Sequence, residues 1–134
     1  MKLIISALGA CTLLTVSSLA QAEVAVIVNT GASSAPTQSD VANIFLGKDN
    51  SFKAVDQSSW NPTKDKFYSA VTNKNEAQLK SYWSGVIFTG KGQPLPSVAD
   101  DGAVIARVSS QADAIGYVDK STVNDKVKVL FTLP

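Results

Sequence analysis

The most informative local feature is the stretch Asp56-Gln57-Ser58-Ser59-Trp60-Asn61-Pro62-Thr63, which leads from an apolar segment into the start of a helix. Asn is a favoured N-cap, and Pro is tolerated at the first helical position because its missing N–H has no intrahelical partner there. The first N–H groups of a helix are unpaired, and the helix dipole makes that end attractive to anions. Hydroxyls and amides from Gln57, Ser58, Ser59, Asn61 and Thr63 can add donors, so a small oxyanion is a chemically sensible ligand even without a cation. The plainer alternative is that Asn61 only caps its own helix and the loop is solvated. Trp60 lies off any helical stripe, so it either stacks on a ligand or packs beneath the loop.

Other constellations carry less. Gly90-Lys91-Gly92 has neither the spacing nor the Lys-Ser/Thr pair of a Walker loop. Asp100 and Asp101 are neighbours on a helix start and point about 100° apart, so capping and exposure explain them better than paired acid–base chemistry. The chain has no histidine and a single cysteine, Cys11. A metal site would need oxygen ligands alone, and Ser-His or Cys-His nucleophiles are excluded, so neither an enzyme nor a metal or organic cofactor is expected. Lys64 and Lys66 alternate with Asp65, and Lys126 and Lys128 lie near Asp125; both groups read as solvated faces. No basic excess marks any stretch, which argues against nucleic acid or an anionic membrane as partner.

The elements that must position this loop follow from apolar spacing. Val24 to Val28 is a continuous apolar run, suited to a strand covered on both faces. Thr37 with Asp40 makes a capping-box start for a helix bearing Val41, Ile44 and Phe45, and Gly47 is placed to end it. Phe52 to Val55 reads as a short strand and Asp56 to Trp60 as a loop. The helix after Asn61 carries Phe67, Tyr68 and Val71. Asn75 with Gln78 opens another, whose stripe Leu79, Tyr82, Trp83, Val86 and Ile87 makes Trp83 a core residue and which ends near Gly90. Gly90 to Pro96 is a loop, Ser97 and Asp100 cap a helix with Val104, Ile105 and Val108, and strands at Ala114–Val118 and Val127–Phe131 close the chain. The order β-α-β-α-α-α-β-β predicts an α/β sandwich around a mixed sheet.

The amino end reads as a targeting segment. Met1-Lys2, an apolar run from Leu3 to Val16 and Ala20-Gln21-Ala22 form a charged start, a short hydrophobic region and an Ala-x-Ala cleavage site. The run is shorter than the ~20 residues that span a bilayer. Leu8-Gly9-Ala10-Cys11 offers lipidation as a competing reading, but the apolar run continues past Cys11. The expectation is a signal peptide over 1–22, no membrane insertion after cleavage, and one periplasmic or secreted domain over 23–134. With Lys2 set aside, the mature part has 11 basic residues against 11 acidic ones.

Three pieces in order, Val24-Ala25-Val26-Ile27-Val28-Asn29, Ile44-Phe45-Leu46-Gly47-Lys48 and Ala114-Ile115-Gly116-Tyr117-Val118-Asp119, resemble the phosphate-specific solute-binding proteins of ABC transporters, in the type 2 periplasmic binding protein superfamily. The polar loop into a helix with Phe67 and the Gly-Lys-Gly loop fall in the same order. The resemblance covers nearly all of the mature part but only one of the family's two lobes. It implies a single-lobe periplasmic-binding-protein-like fold, a mixed sheet flanked by helices, and a non-enzymatic protein that binds phosphate or another small oxyanion in transport or sensing. The family's ligand loop has an arginine followed by Ser-Gly-Thr at the helix start. Here Asn61, Pro62 and Thr63 stand at Ser-Gly-Thr and Gln57 at the arginine, so the bidentate charged contact is lost. That departure opens a second expectation: an interaction module without its own ligand, docking onto an envelope sensor, porin or transporter component.

Overall fold

The computed structural model describes residues 23–134; the expected signal peptide and Cys11 lie outside the described residues. Five strands form one sheet: β1 (Val24–Asn29), β2 (Lys53–Gln57), β3 (Ser97–Val98), β4 (Ala114–Asp119) and β5 (Val127–Leu133). Four helices, α1 (Gln38–Phe45), α2 (Pro62–Thr72), α3 (Glu76–Phe88) and α4 (Asp101–Ser110), connect them. The sheet order is β3-β2-β4-β1-β5. β2 runs parallel to β3 and β4, whereas β1 is antiparallel to both β4 and β5. The α/β class and the mixed sheet are those expected from the apolar spacing, with β3 as an added, unforeseen strand.

β1 is apolar from Val24 to Val28 because it lies inside the sheet with both faces covered. Its side chains alternate: Val24, Val26 and Val28 join one core with Val41, Phe45, Phe67, Tyr68 and Tyr117, and Ala25 and Ile27 join another with Val104, Ile105 and Val108 of α4. In the first core, Phe67 stacks on Tyr117 at 4.2 Å between ring centroids, and Phe45 meets Phe67 edge-on at 4.7 Å. Such pairs add about 0.5–1.5 kcal/mol each beyond the area they bury. The second core is tight enough to require glycine at 116, where a Cβ would stand 2.5 Å from Val104 Cγ1.

The predicted helix starts are realised. Thr37 and Asp40 form a complete capping box, as do Asn75 and Gln78, and Asn61 caps α2 with Pro62 at its first turn. Gly47 follows α1 at φ +77° beneath the Trp83 ring. Three expectations are corrected. β2 extends through Asp56 and Gln57, because the Asp56 and Ser58 amides pair with Pro96 and Val98 carbonyls of the β3 segment. For the same reason Ser97 belongs to β3 and Asp100 alone caps α4. The α3 stripe is core only in part: Leu79 is buried and Tyr82 and Trp83 pack half-buried against the first core, whereas Val86 is half-buried and Ile87 and Phe88 are exposed. Periodicity identified the apolar face, but the fold places no element over its far end.

Candidate functional site

The polar loop leaves the sheet at the carboxyl end of β2, where ligands bind in many α/β sheets. Alternation along β2 sends Asp56 and Gln57 to opposite faces, and the two residues anchor two connected hydrogen-bond networks.

Gln57 is fully buried. Its amide Nε2 donates to Asp101 Oδ1 at 2.7 Å and to the Tyr117 carbonyl at 3.0 Å, while its Oε1 accepts from Asn61 Nδ2 at 2.8 Å. Asn61 Oδ1 in turn accepts the Lys64 amide at 2.8 Å, fixing the start of α2. The residue at the arginine position of the resemblance is therefore a neutral crosslink between β2, β4, α2 and α4. A buried amide with its donors and acceptor matched avoids the ~1–3 kcal/mol cost of an unmatched polar group.

On the other face, the Asp56 carboxylate accepts from the Tyr117 hydroxyl and from the Gln57 backbone N–H, and pairs with Lys64 Nζ at 3.4 Å. Lys64 Nζ also donates to the Gln57 carbonyl at 2.7 Å. The side chains of this pair are only 12% and 14% exposed, so Lys64 is not part of a solvated face. Its Nζ stands beside the stacked Trp60 and Tyr68 rings, 5.5 and 5.9 Å from their centroids. The Tyr68 hydroxyl, buried nearby, makes no hydrogen bond within the described chain. Burial, reinforced by the Asp56 charge, pushes the Tyr68 and Tyr117 phenols well above their usual range.

The remaining loop residues are less committed. Ser58 Oγ donates to the Val98 carbonyl at 3.2 Å, and Ser59 is exposed. Thr63 is buried at the second position of α2. The hydroxyls of Ser59 and Thr63 enter none of the bonds above. Trp60 stacks on Tyr68 at 5.9 Å and donates to Asp65 Oδ1 at 3.2 Å, so it packs against the helix it precedes. Of the aspartate pair, Asp100 caps α4, and Asp101 is half-buried on Gln57 rather than exposed. Lys64, Asp56 and Asp101 escaped sequence reasoning because their partners lie on other elements and no spacing links them.

A cleft of about 200 Å³ opens beside Asp56 and Lys64, bounded by Ser58, Trp83, Leu95 and Ser97. Roomier clefts, of about 460 and 480 Å³, lie along the Gly92–Pro96 loop and along α3. Among the described residues no cluster could hold a metal ion, and no helix is long and apolar enough to cross a membrane.

No protein-family model and no curated protein matches the sequence. Solved structures do match the fold. An ABC-type phosphate transport receptor from Vibrio cholerae superposes with a TM-score of 0.61 at 15% identity, over 81% of this chain and 46% of its own. A protein from Clostridium perfringens assigned as a phosphate ABC transporter substrate-binding protein, solved with bound phosphate, gives 0.61 at 20% identity, over 81% and 44%. PstS from Borrelia burgdorferi gives 0.56 at 14% identity, over 81% and 47%. The fold implied by the sequence resemblance is thus the fold found, and the chain spans a little under half the length of these structures.

Proposed function

We propose that the chain is an exported solute-binding protein of the single-lobe type, working in transport or sensing, with phosphate or another small oxyanion as its ligand. The observation that supports this reading is the start of α2. A helix N-terminus faces the carboxyl end of β2, and the hydroxyls of Ser59 and Thr63 remain free of the networks that fix the loop around them. In this reading Ser58, Ser59, Asn61 and Thr63 surround the anion, and Gln57 acts by holding Asn61 in place. The phosphate receptors that share the fold favour the same ligand class.

The test is titration calorimetry with phosphate, sulfate and nitrate on protein expressed with its own leader and recovered from the periplasm. Saturable phosphate binding that Thr63→Val abolishes, with unfolding unchanged, supports the reading. Absence of heat from a folded sample with all three anions sinks it. Export is checked on the same material by amino-terminal sequencing, which should begin at Glu23; a chain retained at Met1 contradicts the leader.

A second reading, an interaction module docking onto an envelope sensor, porin or transporter component, is favoured by one specific observation. Phe88 is 92% exposed at the end of α3, next to exposed Ile87. Adjacent large apolar side chains in water mark contact surfaces more often than isolated ones do. Reproducible capture of one envelope protein, lost with Phe88→Ser, together with silent calorimetry would favour this reading over the first.

A further inference from the structure

We infer that Lys64 is the cation of this loop and that Asp56 withholds it from anions, so that the Asp56–Lys64 pair is an internal lock on the cleft between the end of β2, β3 and α3. The inference rests on the solute-binding reading and adds to it the group that carries charge and the group that opposes it. No arginine approaches from β2, since Gln57 is neutral and its side-chain amide is already engaged by Asp101, Tyr117 and Asn61. Lys64 brings a positive charge to the same loop from α2 instead. An ammonium has three donors. One meets Asp56 Oδ2 at 3.4 Å and one the Gln57 carbonyl at 2.7 Å, which leaves the third outside these bonds.

The cleft beside the pair has about 200 Å³ of space, with the Ser58 and Ser97 residues on its wall. That exceeds several times the ~30 Å³ share of a water in the liquid. The geometry therefore offers room and a cation, but the Asp56 and Lys64 charges beside the cleft sum to zero while Asp56 is ionised. Asp56 is held in place on its other oxygen by the Tyr117 hydroxyl and the Gln57 backbone N–H, so it does not swing away freely. Removing its charge leaves Lys64 as an uncompensated, largely buried cation, a condition that is strongly unfavourable unless another anion replaces the carboxylate. An oxyanion in the cleft is that replacement.

The deciding comparison is inorganic phosphate binding to the wild-type protein, Asp56→Asn and the double variant Asp56→Asn/Lys64→Met, with unfolding curves for each. Asn keeps the shape and one acceptor of Asp. The lock predicts at least about tenfold tighter phosphate binding in Asp56→Asn, and return to the wild-type level in the double variant. No gain in a folded Asp56→Asn overturns it. A gain that survives Lys64→Met also overturns it, because general charge removal then suffices. Should Asp56→Asn not fold, Asp56→Ser carries the same comparison: tighter phosphate binding than wild type that Lys64→Met reverses supports the lock, and no gain ends it. Wild-type binding that Thr63→Val abolishes and Asp56→Asn leaves unchanged preserves the solute-binding reading and removes the lock. Binding in Asp56→Asn but not in the wild-type protein does the reverse.

Discussion

The start of α2 and the end of α3 invert the usual arrangement. At the first, an amide, a carboxylate and an ammonium are buried and hydrogen-bonded to one another; at the second, Ile87 and Phe88 stand in water. The two regions differ in what surrounds them. β2 is flanked by strands on both sides, and α2 and α4 begin beside it, so any polar group placed there has neighbours within reach. α3 packs through Leu79, Trp83 and Tyr82, whose hydroxyl donates to the Leu46 carbonyl at 2.6 Å, but Ile87 and Phe88 of its last turn are exposed. Polar groups are buried and matched where β2, α2 and α4 converge, and apolar side chains are left exposed at the end of α3.

Alkaline pH should break this comparison most completely. Tyr117 donates into the buried network and Tyr68 packs against it, and burial together with the Asp56 charge raises the pKa of both well above the usual ~10. Above that pH the unfolded chain releases phenol protons that the folded chain keeps, so stability is full below about pH 10 and falls as pH rises, by ~1.4 kcal/mol per unit for each of these tyrosines. Tyr82, on α3, is raised by partial burial alone. Phenolate absorbance should therefore rise in two stages: one tyrosine in the folded protein, then two more together with loss of helical circular dichroism. A single gradual titration of all three would mean that the α2 network is open to water.

Gln57→Leu comes next. It keeps the volume but strands the Asn61 amide, the Asp101 carboxylate and the Tyr117 carbonyl, each formerly matched. Urea unfolding should show a loss of roughly 3 kcal/mol, the sum expected when more than one buried partner is left unmatched. A change below ~1 kcal/mol would show that water replaces the amide and that the network is not what holds this region.

Two glycines sharpen the contrast at a smaller scale. Gly116→Ala drives a methyl against Val104, 2.5 Å away, and should cost about 1–3 kcal/mol as overpacking. Gly85, in the interior of α3, has nothing within 4 Å of the point where a methyl would stand, so Gly85→Ala should stabilise by ~0.5–1 kcal/mol through helix propensity alone. Opposite signs in the two unfolding curves are the expected result. A destabilised Gly85→Ala would mean that the α3 surface is already occupied.

The same contrast explains which parts of the molecule the sequence discloses. β1, the capping boxes at Thr37 and Asn75 and the turn at Gly47 were legible because each depends on residues within a few positions of one another. Lys64 was not: a lysine alternating with Asp65 and Lys66 reads as solvated, and only the placement of β2 beside α2 brings Asp56 to it. Asp56 and Gln57 read as loop because polar residues ending a strand give no alternation, and their partner β3 is two residues long. The α3 stripe failed in the opposite direction. Period 3.6 reports that a helix has an apolar face, and says nothing about whether another element covers it.

Phe88→Ser is the smallest effect on the folded chain and the most direct probe of that uncovered face. At 92% exposure the ring has almost no area to lose, so truncation should leave the unfolding free energy within ~0.5 kcal/mol of wild type. Its consequence should be seen between molecules. If Ile87 and Phe88 form a contact surface, sedimentation velocity at rising concentration, or capture of an envelope partner, should weaken in Phe88→Ser while phosphate titration does not change. A loss of stability above ~1 kcal/mol would instead place the ring inside the fold and cancel the contrast between the two helices. Unchanged association with unchanged stability would mean that the exposed ring serves no contact, and would remove the observation that favours the interaction module.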